Sequence, residues 1–184
     1  MTDPLPSVAV VYGSSFGDTA AAAQRIADLL RRRLGQEVPC IDVADVDLER
    51  LRGLDLLVAG TSTWHGGEPQ DDWAEALPRV AALDWSGTCV ALFGLGDQVG
   101  YADTFVDALA DLADAFEAGG ARRVGDWPAT GYVHTRSRAE RSGSFVGLAL
   151  DVEQPSEHGE RWCDAVLAEV RAARSRGSAG SSQR

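Results

Sequence analysis

Three short loops hold the residues of this chain whose types and spacing could do chemistry. The first is Gly13-Ser14-Ser15-Phe16-Gly17-Asp18-Thr19. Small and hydroxyl residues in front of a helix leave backbone N–H groups free to surround an anion. Ser14, Ser15 and Thr19 can add hydroxyl donors. No Lys or Arg precedes Arg25 and Gly-x-x-x-x-Gly-Lys is absent, so a single phosphate suits the loop better than a nucleoside triphosphate. The same residues match Gly-x-Ser-x-Gly, the nucleophile elbow of hydrolases, with Ser15 as nucleophile. That reading is weak, because an elbow after the first strand leaves no upstream loop for an oxyanion hole. The downstream histidines, His134 and His158, also fall in a polar stretch and at the start of the last helix.

The second loop is Thr61-Ser62-Thr63-Trp64-His65-Gly66-Gly67-Glu68. A Trp between hydroxyls and a glycine pair suits a flat aromatic ligand stacking on the indole; a Trp folded back over the core is the plainer alternative. His65 has no His, Cys or carboxylate partner at ligand spacing and is not read as a metal ligand. The third loop, Gly94-Leu95-Gly96-Asp97-Gln98-Val99-Gly100-Tyr101, spaces its glycines differently from the dinucleotide fingerprint and offers Tyr101 as a second aromatic plate. A phosphate cradle with two aromatic walls is a site for an aromatic mononucleotide.

These loops need a scaffold, and the intervening sequence supplies an alternation of short β-branched runs with longer amphipathic ones. Strands are expected at Val8–Tyr12, Val38–Val43, Leu54–Gly60, Thr88–Gly94 and from Arg122 to Gly125. Helices are expected at Asp18–Leu34, Gln70–Ala82, Asp103–Glu117 and 156–174. In the first helix Ala23, Ile26, Ala27, Leu30 and Leu34 share one face, and Gly35 supplies its stop. Residues 127–144 are polar and turn-rich, and strand character resumes at Phe145–Leu150; a stretch of that length without structure is functional or an insertion. Residues 1–174 are expected to form one domain and 175–184 a disordered Ser/Gly-rich tail. The alternation implies an α/β fold, a parallel sheet with helices on both faces, with ligands beyond the carboxyl ends of the strands.

Composition narrows the partners. The net charge of −11 disfavours nucleic acid and anionic lipid and favours basic protein surfaces or small molecules. All 17 positive residues are arginine. No apolar run is long enough to span a membrane, and Met1 to Ser7 lacks the features of a secretion signal. The three cysteines, Cys40, Cys89 and Cys163, lack metal-ligand spacing; Cys40 and Cys89 lie in strand-like runs and read as buried structural thiols, which fits a reducing cytoplasm.

The stretch Val10-Val11-Tyr12-Gly13-Ser14-x-x-Gly17-x-Thr19-x-x-x-Ala23-x-x-Ile26 resembles the phosphate-loop signature of flavodoxins. Leu92-Phe93-Gly94-Leu95-Gly96-Asp97-Gln98-Val99-Gly100-Tyr101 is similar to their fourth-strand motif. Phe145-Val146-Gly147-Leu148-Ala149-Leu150-Asp151 resembles the closing half of the fifth strand in long-chain members, whose insertion would be residues 127–144. The resemblance implies a doubly wound five-stranded sheet, strand order 2-1-3-4-5, and non-covalently bound flavin mononucleotide (FMN). The loop Ser14, Ser15, Phe16, Gly17, Asp18, Thr19 would hold the phosphate, Trp64 the inner and Tyr101 the outer face of the ring. Thr61, Ser62, Thr63, His65, Gly66, Gly67, Gly94, Leu95, Gly96, Asp97 and Thr104 would line its edges, and Asp151 would approach the ribityl chain. Phe16 replaces a usual Thr, Asp18 a common Lys or Arg, and Thr104 a common Asn.

The same resemblance implies a monomeric, low-potential one-electron carrier, cycling mainly between semiquinone and hydroquinone, rather than an enzyme. The peptide His65–Gly66 would flip on the first electron, and Glu68, Asp71, Asp72 and Asp97 would oppose the second. Asp103, Asp107, Asp111 and Asp114 would steer basic docking surfaces of partners such as ferredoxin–NADP reductase, a pyruvate oxidoreductase, nitrogenase reductase or a cytochrome P-450. Two other classes compete. An NAD(P)H-dependent FMN or quinone reductase would need its own pyridine-nucleotide site, and no basic patch is evident near the loops. A receiver-type signalling domain would need an acidic pair after the first strand and a late Lys, and the chain has neither.

Overall fold

The computed structural model describes residues 4–151 and 157–181. In chain order it contains β1 (Val8–Tyr12), α1 (Asp18–Leu34), β2 (Cys40–Asp42), β3 (Leu56–Trp64), β4 (Glu68–Pro69), α2 (Asp71–Ala82) and β5 (Cys89–Gly96). After these come α3 (Ala108–Ala118), β6 (Arg122–Val124), β7 (Trp127–Pro128), β8 (Glu140–Arg141), β9 (Ser144–Phe145), β10 (Leu148–Asp151) and α4 (Glu157–Ser181). The first strand and helix fall where their patterns place them. Helix α1 buries Ala23, Ile26, Ala27, Leu30 and Leu34. It stops at Gly35, whose φ of 65° is the left-handed cap that glycine adopts without strain.

The central sheet is parallel, in the order β2-β1-β3-β5-β10. Val8 to Tyr12 align with Leu56 to Gly60, and Leu56 to Ser62 with Cys89 to Leu95. The last place in the sheet is shared by two segments. Arg122–Val124 pairs with Cys89–Ala91 at the start of β5, and Leu148–Asp151 with Phe93–Gly96 at its end. The chain between them leaves the sheet and returns, forming a small antiparallel sheet, β7-β9-β8. Phe145, which reads as the resumption of the fifth strand, belongs to this small sheet and pairs with Trp127 and Glu140. The parallel strand restarts at Leu148, after Gly147 passes so close to β5 that a Cβ there would lie 2.3 Å from the Leu92 carbonyl oxygen.

Four of the five tryptophans build the core. Trp73, Trp85 and Trp162 are fully buried and donate their indole N–H to the carbonyls of Gly60, Val80 and Gly125 at 2.7, 2.8 and 2.7 Å. Trp127 donates to the Tyr132 hydroxyl at 3.1 Å, which donates to the Ala149 carbonyl at 2.7 Å. Each bond removes the penalty that a buried polar group would otherwise carry. Trp64 is the partly exposed exception.

Three boundaries differ from the sequence reading by four residues or more. Strand β3 runs four residues beyond Gly60, through Thr61 to Trp64, and doubles back as a hairpin with β4; hydroxyl-rich residues read as loop, but pairing with β5 holds Thr61 and Ser62 extended and pairing with β4 holds Thr63 and Trp64. Helix α3 starts at Ala108 rather than Asp103, because residues 103–107 are turns and Val106 has a φ of 48°. Helix α4 continues past Arg174 to Ser181, so the segment from Ser175 is helical where a disordered tail was expected. Residues 182–184 of that tail, and residue 156, lie outside the described residues.

Candidate functional site

Strands β1, β3 and β5 are parallel neighbours, so the loops that follow them meet at one edge of the sheet. Between them lies a cleft of about 420 Å³, within the usual range for small-molecule sites. Its floor is the loop after β1. Gly17 there has a φ of 98°, and no side chain caps α1. The Gly17 N–H is bonded to Ser14 Oγ at 3.1 Å, and Ser14, Ser15, Asp18 and the buried Thr19 line the cleft. An uncapped helix N-terminus ringed by hydroxyls is what a phosphate needs, since helix dipole and orphan N–H groups both favour an anion.

One wall is Trp64, its indole N–H held by Ser62 Oγ at 2.7 Å. Phe16 from the first loop lies on it, ring centroids 5.4 Å apart at 34°. Trp64 to Gly67 form a tight turn closed by a Gly67 N–H to Trp64 carbonyl bond of 3.0 Å. His65 has a φ of 45°, and a Cβ added at Gly66 would meet nothing within 4 Å. The other wall is Tyr101, 62% exposed. Asp97 shapes its loop by accepting from the N–H groups of Val99 and Gly100 at 3.0 and 2.7 Å.

The cleft gathers Ser14, Ser15, Phe16, Asp18, Thr19, Ser62, Thr63, Trp64, His65, Leu95, Gly96, Asp97, Tyr101 and Thr104 of the residues singled out in the sequence. It does not gather the remaining six. Gly17 is the helix cap behind the floor. Thr61 is buried in β3, where its Oγ1 accepts from the Gln70 N–H at 3.4 Å. Gly66 and Gly67 belong to the turn rather than the lining, and Gly94 lies under Leu109, against which a Cβ would stand at 2.7 Å. Asp151 accepts from the Gln98 amide and faces a neighbouring groove between α1 and β10.

Three residues at the site escape a sequence reading. Phe105 lines the cleft. Gln70, 3% exposed, caps α2 by accepting from the Asp72 and Trp73 N–H groups and reaches Ser15 Oγ at 3.4 Å. The helix is expected from Gln70, but Gln is not among the preferred capping residues, so neither its capping role nor its reach to Ser15 was signalled. Arg138, from the segment between β7 and β8, binds Asp107, Asp111 and the Gly67 carbonyl.

That arginine also corrects the expected steering face. Asp107 and Asp111 are paired with Arg138, and Asp114 with Arg141, which also reaches Glu117. Two arginines of the returning segment face these four acids, so they offset only part of the negative charge of this face; Asp103, before the helix, remains exposed. Among the described residues no group of His, Cys, Asp or Glu could hold a metal, and no helix is long and apolar enough to cross a membrane. Cys89 and Cys163 are buried and Cys40 is half-buried. Burial raises all three thiols, that of Cys163 to about 12.

The family model described as flavodoxin matches residues 10–160. The chain belongs to the flavodoxin family. It is 42% identical over 159 residues to the flavodoxin of a Picosynechococcus species, covering 85% of this chain and 92% of that protein. It is 39% identical over 166 residues to flavodoxin 1 of Salmonella typhimurium, covering 87% and 94%. Among solved structures, Fusobacterium nucleatum flavodoxin bound to flavin mononucleotide superposes with a TM-score of 0.79 at 22% identity, covering 91% of this chain and 98% of that one. Flavodoxins are FMN-based electron-transfer proteins rather than enzymes, and they work with redox partner proteins.

Proposed function

We propose that this chain binds FMN non-covalently in the cleft and carries electrons singly between redox proteins. The observation that carries the reading is the uncapped α1 N-terminus with its hydroxyls, set beside two aromatic walls in one cleft. The loop from Ser14 to Thr19 holds the phosphate through backbone N–H groups and hydroxyls; Trp64 and Tyr101 flank the ring; Thr63, His65, Leu95, Asp97 and Thr104 line its edges. Bound there, the flavin supplies the one-electron redox chemistry. The residues orient the ring, exclude water from its faces and set the charge around it.

Phe16, 83% exposed, is a third ring beside Trp64 where the family usually has Thr. Asp18 adds a negative charge to the phosphate loop, so the floor relies on dipoles rather than a cation. The split edge strand supports a long-chain assignment, and the net charge of −11 suits partners with basic docking faces. The chain works as a cytoplasmic monomer, and its partners are redox proteins of the classes named from the resemblance. The charge that steers them sits mainly on Glu68, Asp71 and Asp103, with the α3 acids partly offset by Arg138 and Arg141.

Reconstitution of FMN-free protein followed by stepwise dithionite reduction tests this reading. Uptake of one FMN per chain and reduction in two separable one-electron steps is the expected result. A chain that takes up no FMN, or a bound flavin reduced only in a single two-electron step, overturns it.

A further inference from the structure

The segment between β7 and β10 is laced to the cleft from behind. Val133 N–H donates to Gln98 Oε1 at 2.7 Å, the N–H groups of Thr135 and Arg136 to the Ala102 carbonyl at 2.8 and 3.0 Å, and Ser137 Oγ to the Phe105 carbonyl at 2.6 Å. These bonds reach the loop that carries Tyr101. Arg138, next in the chain, reaches the opposite wall.

Its Nη2 donates to the Gly67 carbonyl at 3.0 Å. Its other bonds anchor it. The backbone N–H and Nε of Arg138 donate to Asp107 at 2.6 and 3.3 Å, and Nη1 and Nη2 donate to the two oxygens of Asp111 at 3.0 and 2.9 Å. Asp107 is 3% exposed, and its Oδ2 would stand 2.8 Å from a Cβ at Gly67. Thr63 Oγ1 accepts the first N–H of α3, from Ala108, at 3.2 Å. The β3–β4 hairpin is therefore tied to α3 on its Thr63 side and, through Arg138, on its Gly67 side.

We propose that Arg138 is a positioning residue for the Trp64–Gly67 turn: by holding the Gly67 carbonyl it confines the motion of that turn to the single peptide His65–Gly66. The turn is closed at one point by the Gly67 N–H to Trp64 carbonyl bond and pinned at the next by Arg138. Between them only the His65–Gly66 peptide is unrestrained, and the space around Gly66 is open. A guanidinium spreads its donors over a rigid planar fork and so reaches two carboxylates and a carbonyl set apart from one another, whereas a lysine has its three donors on a single atom. The returning segment would in this way set the stiffness of a cleft it does not line. The FMN-affinity part of this proposal rests on the FMN reading; the mechanical part does not.

The test compares three variants. R138M removes the clamp, D107N/R138M removes it with no change in net charge and no buried carboxylate left unpaired, and R141M removes an arginine that binds Asp114 and Glu117 on the same helix but does not touch the hairpin. In the FMN-free chain, amide hydrogen exchange at Gly67 is expected to be at least tenfold faster in R138M and D107N/R138M than in wild type, and unchanged in R141M. In the FMN-loaded chain, D107N/R138M is expected to bind FMN at least fivefold more weakly, because the rest of the turn then moves as well and Trp64 is held less firmly against the ring. Exchange and FMN affinity within twofold of wild type in D107N/R138M, or equal effects in R141M, overturn the proposal. A wild-type chain that takes up no FMN overturns the proposed function instead, and the exchange rates then decide the clamp alone.

Discussion

Gly66→Ala separates the resting turn from the reoriented one. In the structure Gly66 lies outside the left-handed region and a Cβ there has nothing within 4 Å, so alanine fits the resting turn without strain. Turning over the His65–Gly66 peptide while His65 keeps its φ of 45° converts a turn with one positive φ into one with two, and the second falls on residue 66. Glycine takes that conformation freely, whereas an L-residue is disfavoured there by about 1–2 kcal/mol. If the peptide turns over when the first electron arrives, the cost appears only in the reduced protein. With about 59 mV per tenfold change for a one-electron couple and 1.4 kcal/mol per tenfold, the first potential should fall by about 40–85 mV. The assay is a spectroscopic redox titration of the FMN-loaded variant, with the affinity of oxidised FMN measured alongside and expected to stay within twofold of wild type. A first potential that does not move, or rises, would refute the assignment of the moving peptide. A fall accompanied by weakened binding of oxidised FMN would place the damage in the resting turn and refute it as well.

Two further perturbations test the framework behind the cleft. Gln70→Ala removes the cap of α2 and the tie to Ser15, and should cost about 1–2 kcal/mol in urea unfolding; a loss below about 0.3 kcal/mol would show that the cap contributes nothing. Cys163, raised by burial to about 12, keeps its proton in the folded chain after the unfolded chain has lost it. Its contribution is therefore fully present below the unfolded thiol range near 9 and is lost as pH rises toward 12, at up to about 1.4 kcal/mol per pH unit. Cys163→Ala should flatten the fall of stability across that window relative to wild type; parallel curves would contradict this.

Much of the cleft was legible because its signals are local. The floor is a run of consecutive small and hydroxyl residues from Gly13 to Thr19, and α1 announces itself by spacing on one face and a glycine stop. Trp64 and Tyr101 stood out because large aromatics among glycines rarely serve a turn alone. Thr61 misled for the same local reason: a threonine among hydroxyls reads as loop, yet β5 on one side and the Gln70 N–H on its hydroxyl make it a buried strand residue. Asp107, Asp111 and Asp114 read as a solvated acidic face because their partners lie elsewhere in the chain.

By itself, then, the sequence determined the order of the main strands and helices, the hydroxyl-rich floor of the cleft and its two aromatic walls, since each depends on neighbours within a few residues. Only the tertiary structure decided that the second half of the split edge strand begins at Leu148 rather than Phe145, that β3 extends to Trp64, and that Arg138 and Arg141 offset part of the charge of the α3 acids. Those outcomes depend on which distant segments meet. Side-chain periodicity reports which face of an element is buried; it does not report what arrives to cover it or to neutralise its charge.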